Sequence, residues 1–292
     1  LGHGLFFALG GYAHGMYLMR AAKPSPDIVP DFMTFLSWKT YPWFWSFTEH
    51  FWYAALLVVV VPGLLAFLFG YFAFRSRIKG VYFSIITQAL TFAAMLLFFR
   101  NETGFGGNNG FTDFKKILGY DITSTNTRAV LYWVSLATLF GALVLSRAIT
   151  QSKLGRVLTA IRDSEGRLRF LGYEPLGFKL FIWTFSAMLC AIAGALYVPQ
   201  VGIINPGEMS PAYSIEIAIW AAVGGRATLI GPIIGAFFVN GAKSWFTQAF
   251  PEFWLFFLGA LFIVVTLFLP HGVVGLARQW QTRRAAARAV AL

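Results

Sequence analysis

The chain has 292 residues, 58% of them hydrophobic and only 12% charged, with a mean hydropathy of +0.66. A soluble domain carries about 25% charged residues, so this composition reads as membrane-embedded. The single cysteine, Cys190, excludes a disulfide framework within the chain and a cysteine-based metal cluster. The net charge of +11 raises nucleic acid as a partner, and only the placement of the charges decides that question.

The opening, LGHGLFFALGGYAHG, lacks a charged n-region and is no signal peptide. It reads as the interior of a transmembrane helix, with further helices expected upstream. Apolar stretches close to the ~20 residues needed to cross a bilayer fall at about 2–20, 51–74, 81–99, 129–147, 178–200, 213–224, 229–249 and 253–269. The expected fold is an all-α, polytopic integral membrane protein of about eight transmembrane or partial transmembrane helices. It has one membrane domain over 1–276 and a basic tail over 277–292. The sixth stretch is too short to span alone. AAVGGRATLIGP (Ala221 to Pro232) holds a glycine pair, an arginine and a proline, which fits a break between two partial helices.

Between the spans the charge alternates. Arg75, Arg77 and Lys79 close the second span, a run from Arg147 to Lys179 fills the centre, and Arg278, Arg283, Arg284 and Arg288 decorate the tail. The segments 21–50, 100–128 and 201–212 offset their cations with Asp27, Asp31, Glu49, Glu102, Asp113, Asp121 and Glu208. Threading the spans in order puts every basic segment on one side, which the positive-inside rule makes cytoplasmic. The excess charge is a topology signal, and a nucleic-acid partner loses its support. WKTYPWFWSFTEHFWY (Trp38 to Tyr53) places aromatic residues where a span begins, at headgroup level. Small residues four apart (Gly11/Gly15, Ala191/Ala195, Gly231/Gly235) permit close helix packing.

The central loop GRVLTAIRDSEGRLRFLGYEP (Gly155 to Pro175) is too polar and short to span. Leu154, Val157, Leu158, Ile161, Leu168 and Leu171 recur at helical spacing, with Arg156, Arg162, Asp163 and Arg167 largely on other faces. Ser152 is the expected N-cap, and Gly172 and Pro175 are stop signals. Two readings stand: an interfacial helix with its arginines on lipid phosphates, or a docking helix whose apolar ridge enters a partner's groove.

No GxxxxGK[ST] phosphate loop, HExxH pair or activated nucleophile is present, and His3, His14, His50 and His271 are scattered. TGFGGNNGFTDF (Thr103 to Phe114) is either a turn-rich surface loop or a pore-mouth loop offering Asn108 and Asn109 to a small polar solute. Glu216 and Lys243 fall at similar depth if their helices are antiparallel neighbours. They read as a pair that either braces two helices or takes part in a solute path.

The stretches GHGLFFALGGY, GVYFSIITQAL, GRVLTAIRDSEGRLRFLGYEPLGFKLFIWTFSAMLCAIAGALYVP and VGGRATLIGPIIGAFF resemble the membrane subunits of ATP-binding-cassette importers of the branched-chain amino acid type. RNETGFGGNNGFTDF, PQVGIINPGEMSPAYSIEIAIWAAVGGR and the run from Asn240 to Leu276 resemble the urea-importing branch of that family. The resemblance implies a permease in a bacterial inner membrane, working with a second permease subunit, two cytoplasmic ATPases, an extracytoplasmic substrate-binding protein and the surrounding lipid. It implies no cofactor on this chain, since ATP and Mg would sit on the partners, and no enzymatic role of its own. The loop at about 155–172 then corresponds to the coupling helix. Its expected contact residues are Arg156, Arg162, Asp163, Glu165, Arg167 and Gly172. Related permeases carry a Glu-Ala-Ala…Gly pattern here. Glu165 and Gly172 fit it one residue further apart, and Arg167 and Leu168 stand where alanines would. Urea needs amides and hydroxyls rather than a charge clamp, which makes Thr87, Gln88, Asn108, Asn109, Glu216, Asn240 and Lys243 the candidates for its path. Competing readings are the same machine carrying branched-chain amino acids, and a passive urea channel.

Overall fold

The computed structural model describes residues 2–23, 28–78, 80–226, 228–268 and 272–275; Lys79, His271 and the basic tail expected over 277–292 lie outside the described residues. The chain divides into two compact units, Leu1–Tyr213 and Ser214–Leu292. The frame is helical and polytopic, with a helix over each of the eight apolar stretches.

In chain order the first unit holds α1 (His3–Ala21), the short α2 (Asp31–Phe35), α3 (Phe51–Arg75), α4 (Val81–Phe99), α5 (Thr125–Gln151), α6 (Lys153–Phe170) and α7 (Pro175–Val201). Among the described residues, α3, α4, α5 and α7 are the helices long and apolar enough to cross a membrane. Helix α1 is not among them, yet it lies at the centre of the unit, packed chiefly on α7 and α3, with most of its length buried. A helix enclosed by other helices needs close-fitting shape more than apolar side chains. A Cβ on Gly10 would run into the carbonyl oxygen of Ala191, and one on Gly194 into that of Phe7, so the two backbones touch at a reciprocal crossing. The spacing-based expectation chose the neighbouring residues Gly11 and Gly15. These instead make room for the side chains of Val198, Ile204 and Phe111. Helix α7 is joined to α3 by Trp183, whose Nε1 donates to the Ala66 carbonyl at 3.0 Å. His3, Phe6 and Phe83 meet the Trp183 ring edge-on at 5.3 to 5.7 Å. Only 6% of the apolar window of α5 is buried, so the first unit leaves most of the apolar surface of this helix uncovered.

The loops of mixed charge gather on one face, as alternate threading requires. Strand β1 (Phe111–Thr112), after α4, pairs antiparallel with the strand Ile203–Ile204 after α7. Between them in sequence, β2 (Lys116–Ile117) pairs with β3 (Tyr120–Asp121), which makes Ile203–Ile204 the fourth strand, β4. Leu118 N donates to the Tyr17 hydroxyl at 2.9 Å, tying that hairpin to the end of α1. Two-residue strands leave no alternation to detect, so the sequence reading contains no strands. The aromatic segment Trp38 to Tyr53 does not form one belt. Trp45 is fully buried with its Nε1 donating to Gly104 O at 3.3 Å, whereas Trp43 and Trp52 are 85% and 83% exposed. Arg20 explains the difference: it donates to the Trp45 carbonyl at 2.9 Å and pairs with Glu49, drawing the segment inward over α1.

The second unit contains α8 (Pro211–Gly224, beginning at the boundary), α9 (Gly231–Ala249) and α10 (Trp254–Phe268). Fourteen residues of α8 rise about 21 Å, short of the ~30 Å hydrocarbon core. The expected break falls between Gly224 and Gly231, with Gly225 at φ +133°. Close packing of α8 on α9 requires Gly235, whose Cβ would strike the Trp220 carbonyl.

Candidate functional site

The central loop folds as α6 between α5 and α7, capped as its sequence dictates. Ser152 Oγ accepts from Gly155 N at 3.4 Å. At the other end Gly172 takes φ +85°, with its N–H donating to Arg169 O at 2.9 Å and that of Tyr173 donating to Leu168 O at 3.3 Å. The single helix expected over 155–172 is broken at Ser164, which is extended at φ −160° and ψ 95°. Ser-Glu-Gly places a residue that favours caps beside one that weakens helices, so two shorter helices share the segment. Leu168 is buried and Leu154, Val157, Leu158 and Ile161 are half-buried against the protein itself.

The break lets Glu165 turn inward. Its side chain is 13% exposed; Oε1 accepts from Arg169 at 2.9 Å and Oε2 from Lys179 at 2.7 Å. Lys179 lies in the first turns of α7, so this carboxylate ties the second half of α6 to the most tightly packed helix of the unit. Arg162 and Asp163 form an exposed pair at 3.0 Å, and Arg156 and Arg167 are exposed. The tip carries Phe170 (93% exposed), which sequence reasoning did not single out, and Leu171 (74% exposed), which it placed on the apolar ridge. Large apolar side chains exposed at the end of an arginine-rich hairpin are the signal that was available.

The path candidates occupy separate places. Thr87 is buried in α4, and its hydroxyl donates to the Phe83 and Ser84 carbonyls at 3.0 and 2.9 Å, which leaves it little capacity for a solute. Its neighbour Gln88 differs: both Oε1 and Nε2 are buried with no hydrogen-bond partner. Asn108 and Asn109 are exposed on the loop of mixed charge. Asn109 lines a cavity of about 190 Å³ with Lys23, Asp31, Asp113 and Lys115. Lys23 hydrogen-bonds Asp31 at 2.9 Å and holds its carboxyl below the ordinary carboxylate range. Lys115 pairs with Asp113 at 3.3 Å. In the second unit Lys243 Nζ reaches both oxygens of Glu216, at 2.8 and 3.0 Å, so α8 and α9 do bring these charges to one level. Asn240 donates to Ala236 O at 2.8 Å within its own helix. Among the described residues no cluster of three histidine, cysteine, aspartate or glutamate side chains is placed to hold a metal.

Residues 1–266 match the family of the permease component of branched-chain amino acid transport systems. The chain belongs to this permease family. It is 24% identical over 250 residues to the high-affinity branched-chain amino acid transport system permease protein LivM of Salmonella typhimurium, covering 78% of this chain and 58% of that protein. It is 29% identical over 239 residues to the autoinducer 2 import system permease protein LsrC of an Enterobacter species, covering 78% and 65%. With the branched-chain amino acid permease protein BraD of Pseudomonas aeruginosa it shares 27% over 147 residues, 50% and 47% of the two chains. The chain thus spans less than two thirds of the length of these relatives. No solved structure matches it. Within this permease, the hairpin joining α6 to α7 exposes large apolar side chains, and Gln88 in α4 leaves both ends of a buried carboxamide unpaired.

Proposed function

We propose that this permease is the membrane subunit of an ATP-driven importer, and that its solute is urea or a short-chain amide. In this reading the basic loops face the cytoplasm of a bacterium, and two ATPases hydrolyse ATP there. A second permease subunit completes the passage, and an external binding protein delivers the solute. The ATPase grips α6 through Phe170, Leu171 and the exposed Arg156, Arg162 and Arg167, and the Glu165–Lys179 pair carries the displacement into α7.

The observation that carries the solute assignment is Gln88. A buried amide with neither end paired costs about 1–3 kcal/mol. A membrane helix that retains one gains from it only when something pairs with it. Urea presents a carbonyl and two amino groups, which match a carboxamide donor for acceptor and carry no charge to compensate. The expected result for Gln88→Leu is therefore a split: thermal stability equal to or above that of the parent, with urea uptake into vesicles reduced at least roughly tenfold. A variant that unfolds, or one that transports normally, defeats the assignment.

A second reading, branched-chain amino acids as cargo, draws on the names of LivM and BraD and on the Glu216–Lys243 pair, whose opposite charges suit a zwitterion. ATP-dependent uptake of labelled urea, challenged with acetamide and with leucine, separates the two. Inhibition by acetamide alone supports the amide reading; inhibition by leucine alone supports the other.

A further inference from the structure

Where α3 ends and α7 begins on the basic face there is a cleft of about 480 Å³, lined among others by Phe74, Arg75, Arg77, Arg169, Tyr173 and Glu174. Its height follows from the chain. Arg75 is the last residue of α3 and Pro175 the first of α7, and both helices are of membrane-crossing length and apolarity, so the cleft opens at headgroup level. Three arginines and one carboxylate, Glu174, line it; Arg169 is already paired with Glu165, so Arg75 and Arg77 supply the excess of positive charge.

The arginines are held in place. The Arg75 guanidinium lies 5.5 Å from the Tyr71 ring centre and bonds its hydroxyl, and Arg169 is fixed by Glu165 at 2.9 Å. Arg77 adopts φ +55°, a left-handed conformation uncommon outside glycine, at the turn that leaves α3. Glu174, at the N-cap of the 27-residue α7, makes no side-chain capping bond, so the positive end of that helix lies at the cleft without a side-chain cap. The adjoining end of α3 and start of α4 expose apolar side chains: Phe72 is 65%, Val81 73% and Tyr82 76% exposed, and Phe74 of the cleft stacks on Phe83 of α4.

We propose that this cleft binds the phosphate of an anionic phospholipid, whose acyl chains lie along the exposed side chains of α3 and α4. A planar guanidinium matches two phosphate oxygens at once, and converging guanidinium groups between transmembrane helices suit such a headgroup. The apolar flank favours a lipid over a free phosphate, which has no use for it.

The test uses the purified full chain in a neutral detergent, with short-chain phosphatidylglycerol, phosphatidylcholine of the same chain length and inorganic phosphate as separate probes. Binding is read by native mass spectrometry and by the shift in melting temperature. Phosphatidylglycerol is expected to bind in preference to phosphatidylcholine. The double variant Arg75→Gln/Arg77→Gln is expected to lose roughly 30-fold in its retention, the product of two arginine contributions. Arg77→Lys, which keeps the charge but not the planar fork and guards against a folding defect, falls between the parent and the double variant, and Arg128→Gln at the far end of α5 changes nothing. Equal retention by the double variant overturns the site. Displacement of the lipid by millimolar phosphate makes it a soluble-anion site instead, and loss of the lipid on adding ATPase subunits makes it a protein interface; either result overturns the lipid assignment.

Discussion

Gly194→Ala is expected to leave little folded permease in the membrane. The added methyl group would occupy the position of the Phe7 carbonyl oxygen, and backbone atoms cannot rotate aside as a side chain can. Helices α1 and α7 must then separate along their whole contact. The separation loosens Leu5, Ala8, Tyr12 and Val198, all at or below 1% exposure, and lengthens the Trp183–Ala66 hydrogen bond between α7 and α3. Overpacking a core by one or more methylene groups costs about 1–3 kcal/mol, and a collision with backbone belongs at or above the top of that range. Against a total stability of about 5–15 kcal/mol, such a loss appears as a lower melting temperature and a smaller monodisperse fraction after detergent extraction. Gly10→Ala meets the Ala191 carbonyl and should behave alike. The control is Gly141→Ala in the exposed middle of α5, where an added Cβ meets nothing within 4 Å. It should be neutral, or stabilising by up to about 1 kcal/mol through helix propensity. If Gly194→Ala melts with Gly141→Ala, the crossing is not as close as described.

Glu165→Gln is expected to spare the fold and impair transport. The carboxylate joins Arg169 and Lys179 in a half-buried setting, between an exposed pair worth at most about 1 kcal/mol and a buried one whose breakage costs about 3–5 kcal/mol. A loss of about 2 kcal/mol is tolerable for a helical unit packed around α1. On the coupling mechanism proposed above, the same 2 kcal/mol is the bias that a displaced α6 imposes on α7, and its removal slows solute uptake roughly 30-fold. ATP hydrolysis by the assembled importer should persist, because Phe170, Leu171 and the exposed arginines remain to engage the partner. The readout is the ratio of solute moved to ATP hydrolysed in proteoliposomes. Lys179→Gln should lower it similarly, and the double variant should be no worse than either single one, since the interaction is already lost. An unchanged ratio in Glu165→Gln removes the pair from the coupling route.

How much of this was legible beforehand differs between features for a physical reason. The eight helices, the short α8 and the glycine break before α9 were readable because apolar length and helix-breaking residues act locally. The same holds for the ends of α6: Ser152 caps with its own hydroxyl, and Gly172 supplies a positive φ to its own turn. The gathering of the first unit's mixed loops on one face was readable because crossing a bilayer is itself an alternation. The pairing of β1 with β4 on the mixed face agrees with it.

What remained hidden depends on distant partners. That α1 is the enclosed centre follows from which helices surround it, and hydropathy only recorded that α1 is less apolar than its neighbours. Gly10 rather than Gly11 sits at the crossing because the angle between α1 and α7 selects the point of contact, a choice shared by two helices nearly two hundred residues apart. The buried state of Trp45 depends on Arg20 and Gly104, and the inward turn of Glu165 on a kink that brings Lys179 within reach. The candidates for the solute path show the same division. Residue type alone grouped Thr87 with Gln88, and the fold separated a hydroxyl already bonded to its own helix from a carboxamide left unpaired. Composition and spacing thus determine which segments enter the membrane and where each helix stops. Only the packed chain decides which polar groups still have a bond to offer, because that depends on every neighbour at once.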